Sequence, residues 1–397
     1  MARTKKVKEE ETEEGKEGVD FFSKLAKNVG GTLLDDFNCA GFIDTGCLAI
    51  NFILSGRFVG GGVPKQSILE VCGQNASGKS LLGTNILKGC QKQGGVPVFH
   101  DAEQAISKDF AIKASHVDPS KLIVTSSETL QGSFNKIYKV IRQAREVIPM
   151  EKPIVIIYDS IASSPVDREF CETTVDMENT SLAKIKELGG GNEKPGERAK
   201  EVSSQARKLT ALLRPTNTCV VFINQFRKTF GGGPYGPDMV TTSGMALGYY
   251  SGSRIQMSSS KQLKDKNGFP FGVNCNIKNL KSRFTSPYKV CRNVKIYFEK
   301  GIDPFGGLCD LLLQSKRIER TSPGIFKLDE SFTDGKEVKF KSSVESNVVP
   351  VEILLEYPKL VDAESADDIN YYIEMFGDAM NAADEISSET DFEESEE

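Results

Sequence analysis

Ile68-Leu69-Glu70-Val71-Cys72 runs directly into Gly73-Gln74-Asn75-Ala76-Ser77-Gly78-Lys79-Ser80, and Leu81 to Cys90 follows. The first five residues read as a buried strand and the last ten as a helix. The eight between them have the spacing G-x-x-x-x-G-K-S/T, and strand–loop–helix is the context that gives this spacing its meaning as a phosphate-binding P-loop. Small residues let the backbone curl until several N–H groups converge on phosphate oxygens. The helix N-terminus adds a partial positive charge at the same point. Lys79 is placed to reach the β- and γ-phosphates, and the Ser80 hydroxyl to ligate Mg²⁺.

The 397 residues suffice for a large core and two or three domains. No apolar run approaches the roughly 20 residues of a membrane span. The N-terminus, MARTKKVKEEETEEGKEG, is charged rather than signal-like, so the expected location is the cytoplasm (the host's, if the chain is phage-encoded). Nine widely spaced cysteines include no C-x-x-C pair, which argues against a disulfide framework or zinc site and for core thiols. His100 and His116, the only histidines, lack metal-ligand spacing. The net charge of −5 conceals an asymmetry. Residues 362–397 hold fourteen Asp and Glu and no basic residue, so the rest of the chain carries +9. A basic body with an acidic tail suggests a polyanionic partner and a tail that competes with it; a merely solvating tail is the alternative.

Residues 1–18 read as a disordered charged arm, and 19–41 as a helical segment, an oligomerisation candidate whose apolar Phe21, Phe22 and Leu25 need a partner, either this core or a neighbouring subunit. From 42 to 316, Val- and Ile-rich runs alternate with amphipathic segments. Strands are expected at 68–72, 96–100, 122–125, 154–159, 218–224 and 254–258, and helices at 79–93, 106–115, 130–147, 198–214 and 305–316. The pattern predicts an α/β core, a mostly parallel twisted sheet flanked by helices. Segments 273–279 and 290–298 read as a hairpin extending it antiparallel. Two long polar, glycine-rich loops, near 163–197 and 226–243, follow strand ends on the nucleotide side, where such loops are usually functional. Residues 317–386 read as a small C-terminal domain with a helix around 367–386, and 387–397 as the acidic tail.

Three strand ends carry further chemistry. Ile154–Asp159 ends in an acid suited to Mg²⁺, through water. Val98–Glu103 ends in acids, and hydrolysis needs a carboxylate to orient water; Glu103 lies past the strand end, while Asp101 stays open on sequence alone. Val220–Gln225 ends in two amides, of which Gln225 directly precedes the second loop and could pass nucleotide state to it. Arg198, Lys200, Arg207, Lys208, Arg227 and Lys228 cluster near the loops, with a solvated helix face as the alternative for Arg207 and Lys208.

With Thr45-Gly46-Cys47-Leu48, the P-loop, Asp101-Ala102-Glu103, Tyr158-Asp159-Ser160, Phe222-Ile223-Asn224-Gln225, Lys281-Ser282-Arg283 and Gly301-Ile302-Asp303 in that order, the chain resembles RecA-type homologous recombinases from about 43 to 310. In its loops and tail it resembles phage members such as UvsX. The resemblance implies a RecA-like ATPase that forms a helical homo-oligomeric filament on single-stranded DNA and pairs it with homologous duplex. It makes Gly73, Gln74, Asn75, Ala76, Ser77, Gly78, Lys79, Ser80, Leu81, Phe110 and Asp159 the ATP- and Mg²⁺-binding set, with Phe110 on the adenine. It makes Glu103 the water-activating base and Gln225 the γ-phosphate sensor. Lys281 and Arg283 would reach the ATP of the adjacent protomer, the arginine standing where bacterial proteins have lysine. Lys200, Arg207, Arg227, Lys228, Ser243 and Gly244 would contact DNA; Met245 and Gly231–Gly233 depart from the bacterial second loop. Tyr249 would pack at the protomer interface. Mediator and single-strand-binding proteins are implied partners, and a membrane is not. A hexameric RecA-fold helicase and a mediator with little ATPase are the alternatives.

Overall fold

The protein is described from a computed structural model over residues 21–31, 33, 41–104, 106, 117–167, 196–228, 239–242, 245–342 and 348–377. It divides into two compact units, 1–41 and 42–397. In the first, residues 21–28 are helical, and the apolar Phe21, Phe22 and Leu25 are all exposed.

The second unit is built on a sheet of nine strands in one continuous order plus a tenth attached to it. In chain order the nine are β1 (Ile68–Gly73), β2 (Val96–Asp101), β3 (Ile123–Thr125), β4 (Ile154–Asp159), β5 (Thr218–Lys228), β6 (Ser253–Lys264), β7 (Pro270–Ser282), β8 (Val290–Tyr297) and β9 (Gly301–Ile302). They lie as β3-β2-β4-β5-β1-β6-β7-β8-β9. The first six positions pair parallel and the rest antiparallel, so the expected hairpin does extend a parallel sheet. The tenth strand, Met239–Thr241, pairs antiparallel with the end of β5.

Alternation along the strands sorts the core into two. Leu69, Val71, Val155, Ile157, Cys219, Val221 and Ile223 face helices Leu48–Ser55, Lys79–Lys92 and Leu308–Gln314. The intervening Ile68, Ile154, Ile156, Tyr158, Val220 and Phe222 face helices Leu130–Val147 and Glu197–Leu213. Period-2 strands that are apolar at every position are what a sheet covered on both faces requires. Helix Leu130–Val147 shows the matching helical period: Leu130, Phe134, Ile137, Ile141 and Ala144 are buried, and Thr129 caps it by accepting from the Gly132 N–H.

Several boundaries differ from expectation. β5 and β6 run four and six residues further than their apolar cores, because hydrogen bonding to the Met239–Thr241 strand and to β7 continues after the hydrophobic pattern stops. The helix expected at 305–316 is confined to Leu308–Gln314: Gly307 at φ 71° is its N-cap, and residues 303–306 form turns instead. The last helix, Ala366–Phe376, opens with a Ser365/Asp368 capping box and stops at Gly377, φ 63°. Between them lie a three-stranded sheet (Ile318–Ser322, Ile325–Leu328, Lys339–Lys341) and helix Val351–Glu356. The helix expected at 106–115, most of both long loops and residues 378–397 lie outside the described residues. The seven described cysteines are buried and free, and burial pushes the thiols of Cys47, Cys72, Cys90, Cys275 and Cys309 up to about 12.

Candidate nucleotide and DNA site

The parallel register sets the site. Gly73 lies opposite Gln225 and Asp101 opposite Asp159, so β1, β2 and β4 end along one edge of the sheet, beside Gln225 of the longer β5. Sheets of this kind bind ligands at that edge.

The P-loop leaves β1 at Gly73, where a Cβ would sit 2.3 Å from the Met257 carbonyl oxygen. It enters helix Lys79–Lys92 through Gly78 at φ 84°, where a Cβ would meet Ile296. Both positions therefore demand glycine, one for close approach and one for backbone conformation. Gln74, Asn75 and Ala76 are exposed at the rim. The Ser77 hydroxyl and the Lys79 ammonium both donate to the Gln74 carbonyl, at 2.8 and 2.6 Å, which holds Lys79 in the loop's mouth. The Leu81 side chain lies in the hydrophobic core, 5% exposed.

Around Lys79 the acids assemble. Ser80 donates a hydrogen bond to the Asp159 carboxylate, and Lys79 feels the charges of Asp159 and Glu103. Desolvation pushes Asp159 up to about 6; the Ser80 bond and Lys79 oppose this, and Glu103 and Asp101 add to it. Desolvation likewise lowers Lys79, with Asp159 and Glu103 pulling it back. Among the described residues no three His, Cys, Asp or Glu side chains could hold a metal together. The hydroxyl of Ser80 and the carboxylate of Asp159 are oxygen donors, which fit a hard cation that keeps several waters and takes phosphate oxygens, as Mg²⁺ does.

The Glu103 carboxylate is fixed from two sides. At Oε1 it accepts from the Ser160 hydroxyl at 2.5 Å and from Gln225 Nε2 at 3.2 Å. The main-chain N–H groups of Ala102 and Glu103 both donate to the Asp159 carbonyl. Asp101 points elsewhere: it is buried, and its Oδ2 accepts from the Ile106 N–H at 3.1 Å. The structure thereby separates two acids that sequence left open, bringing Glu103 to the mouth. Gln225 is also bound to the second loop, since its carbonyl accepts from the Thr242 N–H at 3.1 Å and the Thr242 hydroxyl at 3.2 Å.

Lys200 and Arg207 lie two turns apart on helix Glu197–Leu213, both exposed. Arg207 and Ser203 hydrogen-bond the Tyr250 hydroxyl, which lowers its pKa. Arg227 and Lys228 occupy the end of β5, opposite Val240 and Met239. Phe110, Ser243 and Gly244 lie outside the described residues. Lys281 and Arg283 are distant in register from the P-loop mouth; their side chains reach the carbonyls of Gly248 and Tyr249. Beside them Met245 and Tyr249 are 71% and 68% exposed. His100 is buried, 2.9 Å from the Thr125 hydroxyl and edge-on to Tyr158, and burial brings it down to about 4. Sequence reasoning missed Thr242, Glu70 and Arg254. Only Glu70 left a trace there, as a lone acid in an apolar strand.

A family profile described as the RecA N-terminal domain matches residues 35–303. The chain is similar to the protein RecA of Chlamydia trachomatis serovar L2, 30% identical over 297 residues that cover 74% of this chain and 75% of the relative. It is also similar to the protein RecA of Trichodesmium erythraeum, 27% identical over 352 residues (89% and 87% covered), and to that of Phytoplasma mali, 28% over 296 residues (74% and 78%).

Proposed function

The chain belongs to the RecA family, and from that premise we propose that it is an ATP-dependent recombinase that filaments on single-stranded DNA, pairs it with homologous duplex and hydrolyses ATP when DNA is bound. The observation that carries this reading is the meeting of Glu103 and Gln225 beside the P-loop, with Gln225 tied through Thr242 to the second loop.

The P-loop from Gly73 to Leu81 binds the phosphates, and Lys79 bears the charge of the γ-phosphate. Ser80 and, through water, Asp159 would hold Mg²⁺, which would supply positive charge to the phosphates. Glu103, oriented by Ser160, polarises the attacking water and accepts its proton. Gln225 exchanges its bond to Glu103 for one to the γ-phosphate, and its carbonyl carries the change to Thr242 and the loop. Phe110 stacks on adenine. Lys281 and Arg283 act on the ATP of the adjacent protomer, the arginine suiting bidentate phosphate contact. Lys200, Arg207, Arg227, Lys228, Ser243 and Gly244 hold DNA mainly by its phosphates, which suits sequence-independent binding.

On this reading 42–316 is the ATPase core, 19–41 joins protomers, 317–386 is a small C-terminal domain, and mediator and single-strand-binding proteins assist loading. The likeness to phage members rests on the sequence alone. No described helix is long and apolar enough to cross a membrane, and the proposed site of action is the cytoplasm. The test is ATP turnover with and without single-stranded DNA, read beside electron microscopy of the complex. DNA-stimulated turnover with filaments, both lost in Lys79→Ala, is expected. Rings would favour a helicase, and a wild type without stimulated turnover a mediator.

A further inference from the structure

Glu70 is the only acid in β1, and its side chain is fully buried. A carboxylate there costs free energy unless charge and hydrogen bonds meet it. Both do. Asn224 Nδ2 donates to Oε1 at 2.9 Å, and Arg254 Nε donates to Oε2 at 2.5 Å. These partners come from β5 and β6, the strands on either side of β1.

Each partner leads to a different part of the proposed machinery. Asn224 Oδ1 accepts from the Gln225 N–H at 2.9 Å, one residue from the contact with Glu103. Arg254 packs against Gly248 so closely that a Cβ there would lie 3.0 Å from Nη1. The Gly248 carbonyl accepts from Lys281 Nζ at 2.7 Å, the Tyr249 carbonyl accepts from it at 3.0 Å, and Arg283 Nη2 lies 3.4 Å from the same Tyr249 oxygen. Lys281 also stands opposite Arg254 across β6 and β7. Arg254, Lys281 and Arg283 therefore crowd three cations together, and Glu70 is the charge that opposes them at Lys281. A buried ion pair is poor evidence of a stabilising role, since apolar residues of similar volume usually serve as well. This one joins the end of β5 to the surface bearing Lys281.

We infer that Glu70 and Arg254 are positioning residues: they hold Lys281 and Arg283 at the face presented to the next protomer, so that a chain lacking the pair fails its neighbour's nucleotide site and not its own. The inference deepens the proposed function and rests on its reading that Lys281 acts across the protomer boundary.

The test is complementation in mixed filaments. The double variant Glu70→Gln, Arg254→Met removes both charges together and keeps an acceptor for Asn224, so no buried charge is left unpaired. It is expected to bind a fluorescent ATP analogue within about threefold of wild type, while DNA-stimulated kcat falls about tenfold or more. Lys79→Arg chains keep a cation in the P-loop and are expected to hydrolyse nothing themselves, but they carry an intact Lys281. Mixed in excess with the double variant, they should restore most of its turnover. Lys281→Ala mixed with the same chains is the control. If Lys281→Ala is rescued and the double variant is not, the positioning role is overturned while the shared site stands. If neither is rescued, the shared-site reading falls and takes this inference with it. Unimpaired turnover of the double variant alone also overturns the role. Should the double variant fail to bind nucleotide, Arg254→Lys, which keeps the charge but lacks the planar fork, is read in the same mixture against the same outcomes.

Discussion

Gln225 Nε2 donates to Glu103 Oε1 at 3.2 Å across 122 residues of sequence. The same oxygen accepts from Ser160. Glu103→Gln keeps an acceptor at that position and changes only the ability to take a proton, so fold and loop contacts should survive. ATP affinity is expected within about threefold of wild type, with DNA-stimulated turnover at least about 100-fold lower. Single-turnover kinetics with an independent binding titration checks this; a variant keeping a tenth of wild-type turnover would exclude Glu103 as the base.

Burial of Asp159 carries a cost in stability at neutral pH. Its folded pKa, about 6, lies above the usual carboxylate value because burial disfavours the charge. The sign follows: this favours the folded state when the group is protonated, and the advantage is lost as pH rises from about 4 through 6. At pH 7 the ionised group therefore weighs against folding. Asp159→Asn is expected to stabilise the nucleotide-free protein by about 1–3 kcal/mol at pH 7 while weakening Mg²⁺-dependent ATP binding. Denaturant melts with and without Mg·ATP separate the two effects.

His100 gives the opposite slope. Burial lowers its pKa to about 4, below the unfolded value near 6.5, so the unfolded chain binds the extra proton between those limits. Stability from this residue is complete above pH 6.5 and declines as pH falls towards 4, by about 3 kcal/mol in all. His100→Gln retains a partner for Thr125 and does not titrate. The difference between wild-type and variant unfolding free energies should fall across that window and be flat above it, which melts at half-unit pH steps would reveal.

Much of the site could be read along the chain because its parts are local. Gly73 and Gly78 announce a close approach and a left-handed turn in six residues, and strands ending in Glu103, Asp159 and Gln225 announce themselves by an apolar run meeting a polar group. What could not be read is what register creates. Glu103 and Asp101 are equal candidates in sequence, and only the pairing of β2 with β4 turns one to the mouth and the other to the Ile106 N–H. Glu70 and Arg254 stand 184 residues apart, with nothing local to link them. The helix starts at Leu308, three residues later than the apolar period implies, for a related reason: Phe305 satisfies that period, yet its N–H is taken by the Asp303 side chain at 2.9 Å, which makes a turn before the helix.

If the proposed DNA binding holds, the acidic end of the chain is expected to act on it through charge. Residues 388–397 hold six acids and no base, so truncation after Ser387 changes the net charge from −5 to +1. A polyanion competing for a basic surface acts over roughly a Debye length, about 10 Å at 0.1 M salt and less above it. Removing it should therefore raise duplex affinity most at low salt, by about tenfold near 50 mM, with the two proteins converging as salt rises. The truncated chain should also lose affinity more steeply with salt, since phosphates then replace the tail as counter-charges for the basic body. Binding isotherms on a duplex oligonucleotide across a salt series measure both quantities. Parallel lines offset by a constant factor would point to a steric tail, and superimposable lines to a tail that only solvates.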